Sequence, residues 1–167
     1  MAIKKKITFE GNTYNLGNKD RVSAETAHQD SRRTGEIQRV TTAAEMTIGA
    51  NVSLLDLGVD GAFTINMGKA TAGRHLKVFW SVEQATSDRV FTRAGSDTFA
   101  GNIFTTVAGN AAGDGDVVAV ANTTATITTV DDVNIGSYLD FHCAVTGTWL
   151  VSGHLVVDGV ANVPTLA

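Results

Sequence analysis

The sequence predicts an all-β protein: a β-sandwich, jelly-roll-like body preceded by an extended N-terminal arm. Three observations carry that expectation. Twenty-two threonines and 17 glycines stand beside a single proline in 167 residues. Threonine and valine suit half-buried pleated surfaces, and glycine supplies turns and bulges. From Ile37 onward, short β-prone runs alternate with turn signals roughly every 8–14 residues. Finally, no stretch carries a long apolar stripe at helical spacing. The chain divides into an arm, residues 1–36, and a body, residues 37–167.

In the arm, "KKITFEGNTYNL" places two short β-prone runs around Glu10-Gly11-Asn12, where glycine and asparagine tolerate positive φ, so a hairpin is expected. The polar stretch 17–35 follows. Ser23 to Ala27 has the composition to open a short helix, but no apolar face follows for it to bury, so an extended connector is expected.

The body reads as nine segments: "IQRVTTA", "EMTIGANVSLLDLG", "AFTINMG", "HLKVFWSVE", "RVFTRAG", "NIFTTVAG", "DVVAVANTTATITTV", "SYLDFHCAV" and "TWLVSGHLVV". In "HLKVFWSV" Leu76, Val78 and Trp80 alternate with Lys77, Phe79 and Ser81. Phe79 marks the second face as covered by something other than solvent. Trp80 and Trp149 are expected core anchors, with a sugar-stacking platform as the alternative use of either ring. The stretch from Gly95 to Asp116, "GSDTFAGNIFTTVAGNAAGDGD", reads as a tight turn over Asp97–Gly101, a short strand over Ile103–Val107 and an exposed loop over Gly109–Asp116.

Charge is placed unevenly. The net charge is −4, yet residues 1–40 carry eight Lys/Arg against five acids and residues 41–167 carry five against twelve. A basic arm on an acidic body fits an acidic partner surface, while the body would repel phosphate backbones, so no nucleic-acid partner is expected. No apolar run approaches the roughly 20 residues of a membrane-spanning helix, and no membrane partner is expected. The start "MAIKKKITFEGNTY" lacks the apolar core of a secretion signal, which points to synthesis in a cytoplasm.

Candidate chemistry is thin. Asn110, Asp114 and Asp116 alternate partly as calcium ligands do, but no glutamate closes the loop. A phosphate loop needs a lysine, and none follows Lys77. The histidines, His28, His75, His142 and His154, lack zinc-ligand spacing. His142 and His154 come closest to a constellation, across the final hairpin. Cys143 lies beside them, but adjacent strand residues point to opposite faces and it reads as a buried apolar residue. Nothing selects a catalytic pair among Asp56, Asp60, Asp97 and Asp140. No catalytic residue, cofactor or metal is expected.

The run "MTIGANVSLLDLGVDGAFTINMGKATAGRHLKVFWSV", followed by "GSDTFAGN", "ITTVDDVNIGSYLDF" and "TGTWLVSGHLVV", resembles a β-rich domain of tailed-bacteriophage structural proteins. The resemblance covers residues 45–157. It rests on Ala72-Gly73 before His75–Val82, on Asp97–Gly101, on Gly136 and on Trp149–Gly153. It implies a virion protein of the head-decoration (capsid cement) type, on the capsid surface, with the major capsid protein and its own copies, as a homotrimer, for partners. A phage tail or fibre module, or a carbohydrate-binding β-sandwich, is the alternative. In the decoration reading, Lys4, Lys5, Lys6, Arg32 and Arg33 are the arm's partner contacts.

Overall fold

Alternation writes the body's architecture. In His75–Trp80 every second residue (Leu76, Val78, Trp80) is fully buried, and the same two-residue period recurs in Phe63–Asn66, Arg89–Thr92 and Tyr138–Val145. One buried face per strand requires a second layer, and the computed structural model is a two-sheet β-sandwich. It describes residues 5–9, 12–16, 36–85, 87–108, 115–158 and 164–167.

The chain forms two units, divided between Gly35 and Glu36. The first contains β1 (Lys5–Phe9) and β2 (Asn12–Leu16), an antiparallel hairpin with Lys5 opposite Leu16. The connector at 17–35, its short-helix option, and Lys4, Arg32 and Arg33 lie outside the described residues, as do the side chains of Lys5 and Lys6.

In the second unit the strands are β3 (Glu36–Val40), β4 (Met46–Thr47), β5 (Val52–Leu57), β6 (Phe63–Asn66), β7 (His75–Trp80), β8 (Arg89–Thr92), β9 (Thr98–Val107), β10 (Gly115–Thr124), β11 (Thr126–Thr129), β12 (Tyr138–Val145), β13 (Thr148–Val157) and β14 (Thr165–Leu166). From β3 to β8 successive strands alternate between sheets, so β3, β5 and β7 stack in parallel in one sheet and β4, β6 and β8 in the other. The later strands close this coil antiparallel: β12 pairs with β7, and β11 with β8. The finished sheets read β10-β9-β13-β12-β7-β5-β3 and β14-β11-β8-β6-β4.

Several sequence segments divide differently. "EMTIGANVSLLDLG" is two strands in opposite sheets, β4 and β5, with the turn at Gly49–Asn51 between them. "DVVAVANTTATITTV" likewise splits at Ala125 into β10 and β11, with no glycine or proline to mark the crossing. The expected turn at Asp97–Gly101 ends at Asp97: Thr98–Gly101 is already β9. Gly115 and Asp116 belong to β10 rather than to the loop, whose remaining residues, 109–114, lie outside the described ones.

Gly101 explains the longer strand. Its φ is +138°, and a Cβ there would collide with the Val151 carbonyl oxygen of β13. Only glycine lets β9 lie parallel to β13 in unbroken register from Thr98↔Thr148 to Val107↔Val157.

The core is aromatic at its centre. Phe91 of β8 stands 6.2 Å from Trp80 and 5.6 Å from Phe141, and Phe141 packs on Phe99 at 5.9 Å and edge-on to Trp149 at 6.4 Å. All five rings are fully buried. A polar cluster adjoins them. Gln84 Oε1 accepts from Trp80 Nε1 (3.1 Å), Arg89 Nη1 (2.5 Å) and Thr129 Oγ1 (3.1 Å), while Gln84 Nε2 donates to the Thr129 and Val130 carbonyls. Arg89 is fully buried and also donates to the Val59 carbonyl. Burial pulls its pKa down to about 10, opposed by the negative charge of Asp60.

Three outcomes follow, all measured by chemical denaturation. Gly101→Ala is expected to destabilise the fold by about 3 kcal/mol or more, adding collision to strain. Gly73→Ala serves as the control: φ is +85° but space is open around it, and it should cost only about 1 kcal/mol. Arg89→Ala is expected to cost about 3–5 kcal/mol, because it leaves a cavity and takes a donor from Gln84.

Candidate functional site

The outer face of the seven-stranded sheet departs from the polar surface that a solvated sheet normally presents. Strand register aligns Arg39, Asp56, Phe79, Tyr138, His154, Phe104 and Val117 as one row across all seven strands. On β5, β7 and β9 the row residues Asp56, Phe79 and Phe104 lie between inward-pointing neighbours, as Phe79 lies between Val78 and Trp80. Six interstrand steps make the row about 29 Å long.

One end is ionic, with Arg39 Nε 3.3 Å from Asp56 Oδ2. The rest is aromatic and apolar. Lys77 Nζ sits 4.4 Å from the centre of the Tyr138 ring, a cation–π contact. Phe104 meets His154 edge-on at 6.1 Å, and His154 Nε2 shares a 2.9 Å hydrogen bond with Thr106 Oγ1. Phe104 and Val117 are about half exposed, at 49% and 51%.

A second row runs beside it: Ile37, Leu54, Lys77, Asp140, Ser152, Asn102 and Ala119. Asp140 is its charged centre, 3.4 Å from His75 Nε2 and 3.8 Å from Lys77 Nζ. His75, His142, Leu150 and Ala100 continue the face toward one end. Leu150 and Ile37 are exposed, as is Val145 beyond the end of the row. This face is a candidate interaction surface.

The candidate constellation of His142 and His154 does not form. In the β12–β13 hairpin His142 lies opposite Leu150 and His154 opposite Tyr138. His142 approaches His75 instead, with ring centres 6.3 Å apart. Cys143 points the other way, fully buried, its Sγ donating to the Val145 carbonyl at 3.2 Å. Among the described residues no three His, Cys, Asp or Glu side chains gather as metal ligands do. The Asn110 and Asp114 positions lie outside the described residues, as does His28.

The four aspartates considered for catalysis are spread through the fold. Asp56 pairs with Arg39, Asp60 Oδ1 accepts from the Gly61 amide, and Asp140 sits on the outer face. Asp97 is buried at the end of the sandwich, where Oδ2 accepts from the Ala70 amide and Oδ1 pairs with Lys69. Trp80 and Trp149 are fully buried, so neither ring is available to stack on a sugar. Of the apolar side chains in the outer rows, sequence reasoning marked only Phe79 as covered by something other than solvent. Leu150 and Phe104 carry the same signal, each standing where strand alternation calls for a polar residue.

No protein-family model, curated protein or solved structure matches this chain.

Burial raises the Cys143 thiol above its ordinary pKa of 9.0. A thiol raised in this way favours the native state at pH values below 9.0, and that contribution fades as pH rises through the native value. Native protein at pH 8 is therefore expected to react with a disulfide reagent at least about 100-fold more slowly than unfolded chain. Absorbance of the released thiolate measures both rates.

Proposed function

We propose that this chain is a structural virion protein. It binds the outer surface of a phage capsid and clamps neighbouring major capsid subunits, assembling with its own copies as a trimer. The row from Phe79 to Val117 carries this reading, because a line of half-buried rings ending in the exposed Phe104 and Val117 is what a protein partner covers.

Open strand edges support it. Among the described residues β3 and β10 have no neighbour on one side. β10 carries ten residues and a single charge, Asp116, without the lysine or proline that usually blunts an exposed edge. Such an edge accepts an added strand. The basic arm, with Lys4, Lys5, Lys6, Arg32 and Arg33, is the proposed electrostatic contact to an acidic shell surface. Each bound copy stabilises the assembled shell by linkage, since it binds the assembled state and not free subunits.

A carbohydrate-binding module is the second reading. Phe79, Tyr138 and Phe104 favour it, as rings beside the hydrogen-bonding groups of Asp140, Ser152 and Asn102. Stacking and hydrogen bonding on one sheet face suit a sugar.

Co-sedimentation with expanded empty capsids tests the proposal. Phe104→Ser combined with Leu150→Ser should keep the melting temperature within a few degrees and weaken capsid binding at least about 10-fold. Deleting residues 1–35 should weaken it as well. Wild-type binding by both variants would defeat the capsid reading, and glycan-array binding lost with Phe104→Ser would establish the second one.

A further inference from the structure

At one end of the sandwich, away from the outer-face rows, the turn 48–50 and the loop 68–74 enclose a cleft of about 410 Å³. Its lining includes Ile48, Ala50, Lys69, Thr71, Ala72 and Arg74. The walls are braced. Arg74 Nη1 donates to the Lys69 carbonyl (3.0 Å) and Nη2 to the Gly49 carbonyl (2.9 Å), which ties the two walls together. Behind them Asp97 holds the Ala70 amide at 2.7 Å, and the Gly147 amide donates to the Ala70 carbonyl at 2.9 Å. The Ala72 amide is held by Thr146 Oγ1 at 3.3 Å.

The charges in this cleft do not cancel. Lys69 Nζ pairs with Asp97 Oδ1 at 3.3 Å. Arg74 has no carboxylate partner among the described residues; its guanidinium lies 5.1 Å from the centre of the Trp149 ring. Its Nε is sealed from solvent without an acceptor. Each Nη spends one of its two hydrogens on a carbonyl, leaving one apiece for a ligand. Burial pulls the Arg74 pKa below its ordinary value, the mark of a cation whose lost hydration no anion has replaced. Gly68, at φ +67°, leaves space beside Arg74 Nη1: a Cβ there would stand 3.0 Å from it.

We propose that this cleft binds a carboxylate carried on a short hydrocarbon stem, with Arg74 as its principal ligand and Lys69 and Thr71 as auxiliary donors. Two cations and one buried carboxylate leave a single positive charge, which a monoanion neutralises. A dianion such as phosphate would be held less well, because Asp97 repels its second charge. Ile48, Ala50 and Ala72 supply the apolar surface that a hydrocarbon stem covers. Guanidinium and carboxylate are matched donors and acceptors. The carboxylate can belong to a free acid, to an acidic side chain or to a chain end, all sharing the same chemistry.

Titration of the whole protein with butyrate, followed by amide NMR, tests the assignment. Saturable shifts at Lys69, Thr71, Ala72 and Arg74 with a millimolar dissociation constant are expected. Butyramide should give none, and inorganic phosphate should bind more weakly than butyrate. Arg74→Gln should weaken butyrate binding at least 10-fold. Because Arg74 also braces the loops, Ala72→Trp provides the second variant: it obstructs the cleft, keeps both cations and should abolish the shifts. N-acetylglutamate α-methylamide against N-acetylalanine separates the side-chain source from the chain-end source, the tighter ligand naming it. Equal shifts with butyrate and butyramide, tighter binding of phosphate, or wild-type butyrate binding by Ala72→Trp would each overturn the proposal.

Discussion

Gln84 and Arg89 hold the two sheets in one arrangement. Gln84 sits just beyond β7 of the larger sheet, and Arg89 opens β8 of the smaller. Between them Gln84 Oε1 accepts from a tryptophan, an arginine and a threonine. A buried guanidinium is costly to desolvate, so this contact is worth less for net stability than for specificity. The cluster's shared bonds fix the relative placing of Gln84, Arg89 and Thr129, although Arg89 Nε finds no acceptor within it. The aromatic stack of Trp80, Phe91 and Phe141 is set in register by the same pin.

From that register the outer face follows. Because β3, β5 and β7 run parallel and β12, β13, β9 and β10 complete the sheet, residues as distant as Arg39 and Val117 fall on one line. The pleat dictates the rest. Once Trp80, Phe141 and Trp149 point inward, Phe79, His142 and Leu150 must point outward. The exposed apolar side chains on this sheet are therefore not leftovers of a poor core, which is complete without them.

The cleft at the sandwich end is built differently, from turns and not from strands. Asp97 is its organiser, a buried carboxylate joining the loop at Lys69–Ala70 to the turn before β9. Its negative charge is answered by Lys69, which leaves Arg74 as the unbalanced group. The outer-face rows and the Arg74 cleft are thus built from different elements of one scaffold.

Much of this was legible in the chain itself. Composition and turn spacing determined an all-β sandwich, and alternation in His75–Trp80 determined which side of that strand is core. The pairing of β1 with β2 was readable from their two β-prone runs, and the burial of Cys143 from its place in a strand. These are local properties, decided within a few residues. Register, sheet membership and partner choice are not. Ala125 carries no local mark that the chain changes sheets there, and Gly101 reads as a turn until β13 lies against it. His142 and His154 look close along the hairpin, yet pairing sets them on different cross-strand lines. The sequence alone determined the alternating pattern and the turns, because those depend on each residue's own stereochemistry. Only the tertiary structure decided the outer row and the Arg74 cleft, because both join residues that long-range strand pairing alone brings together.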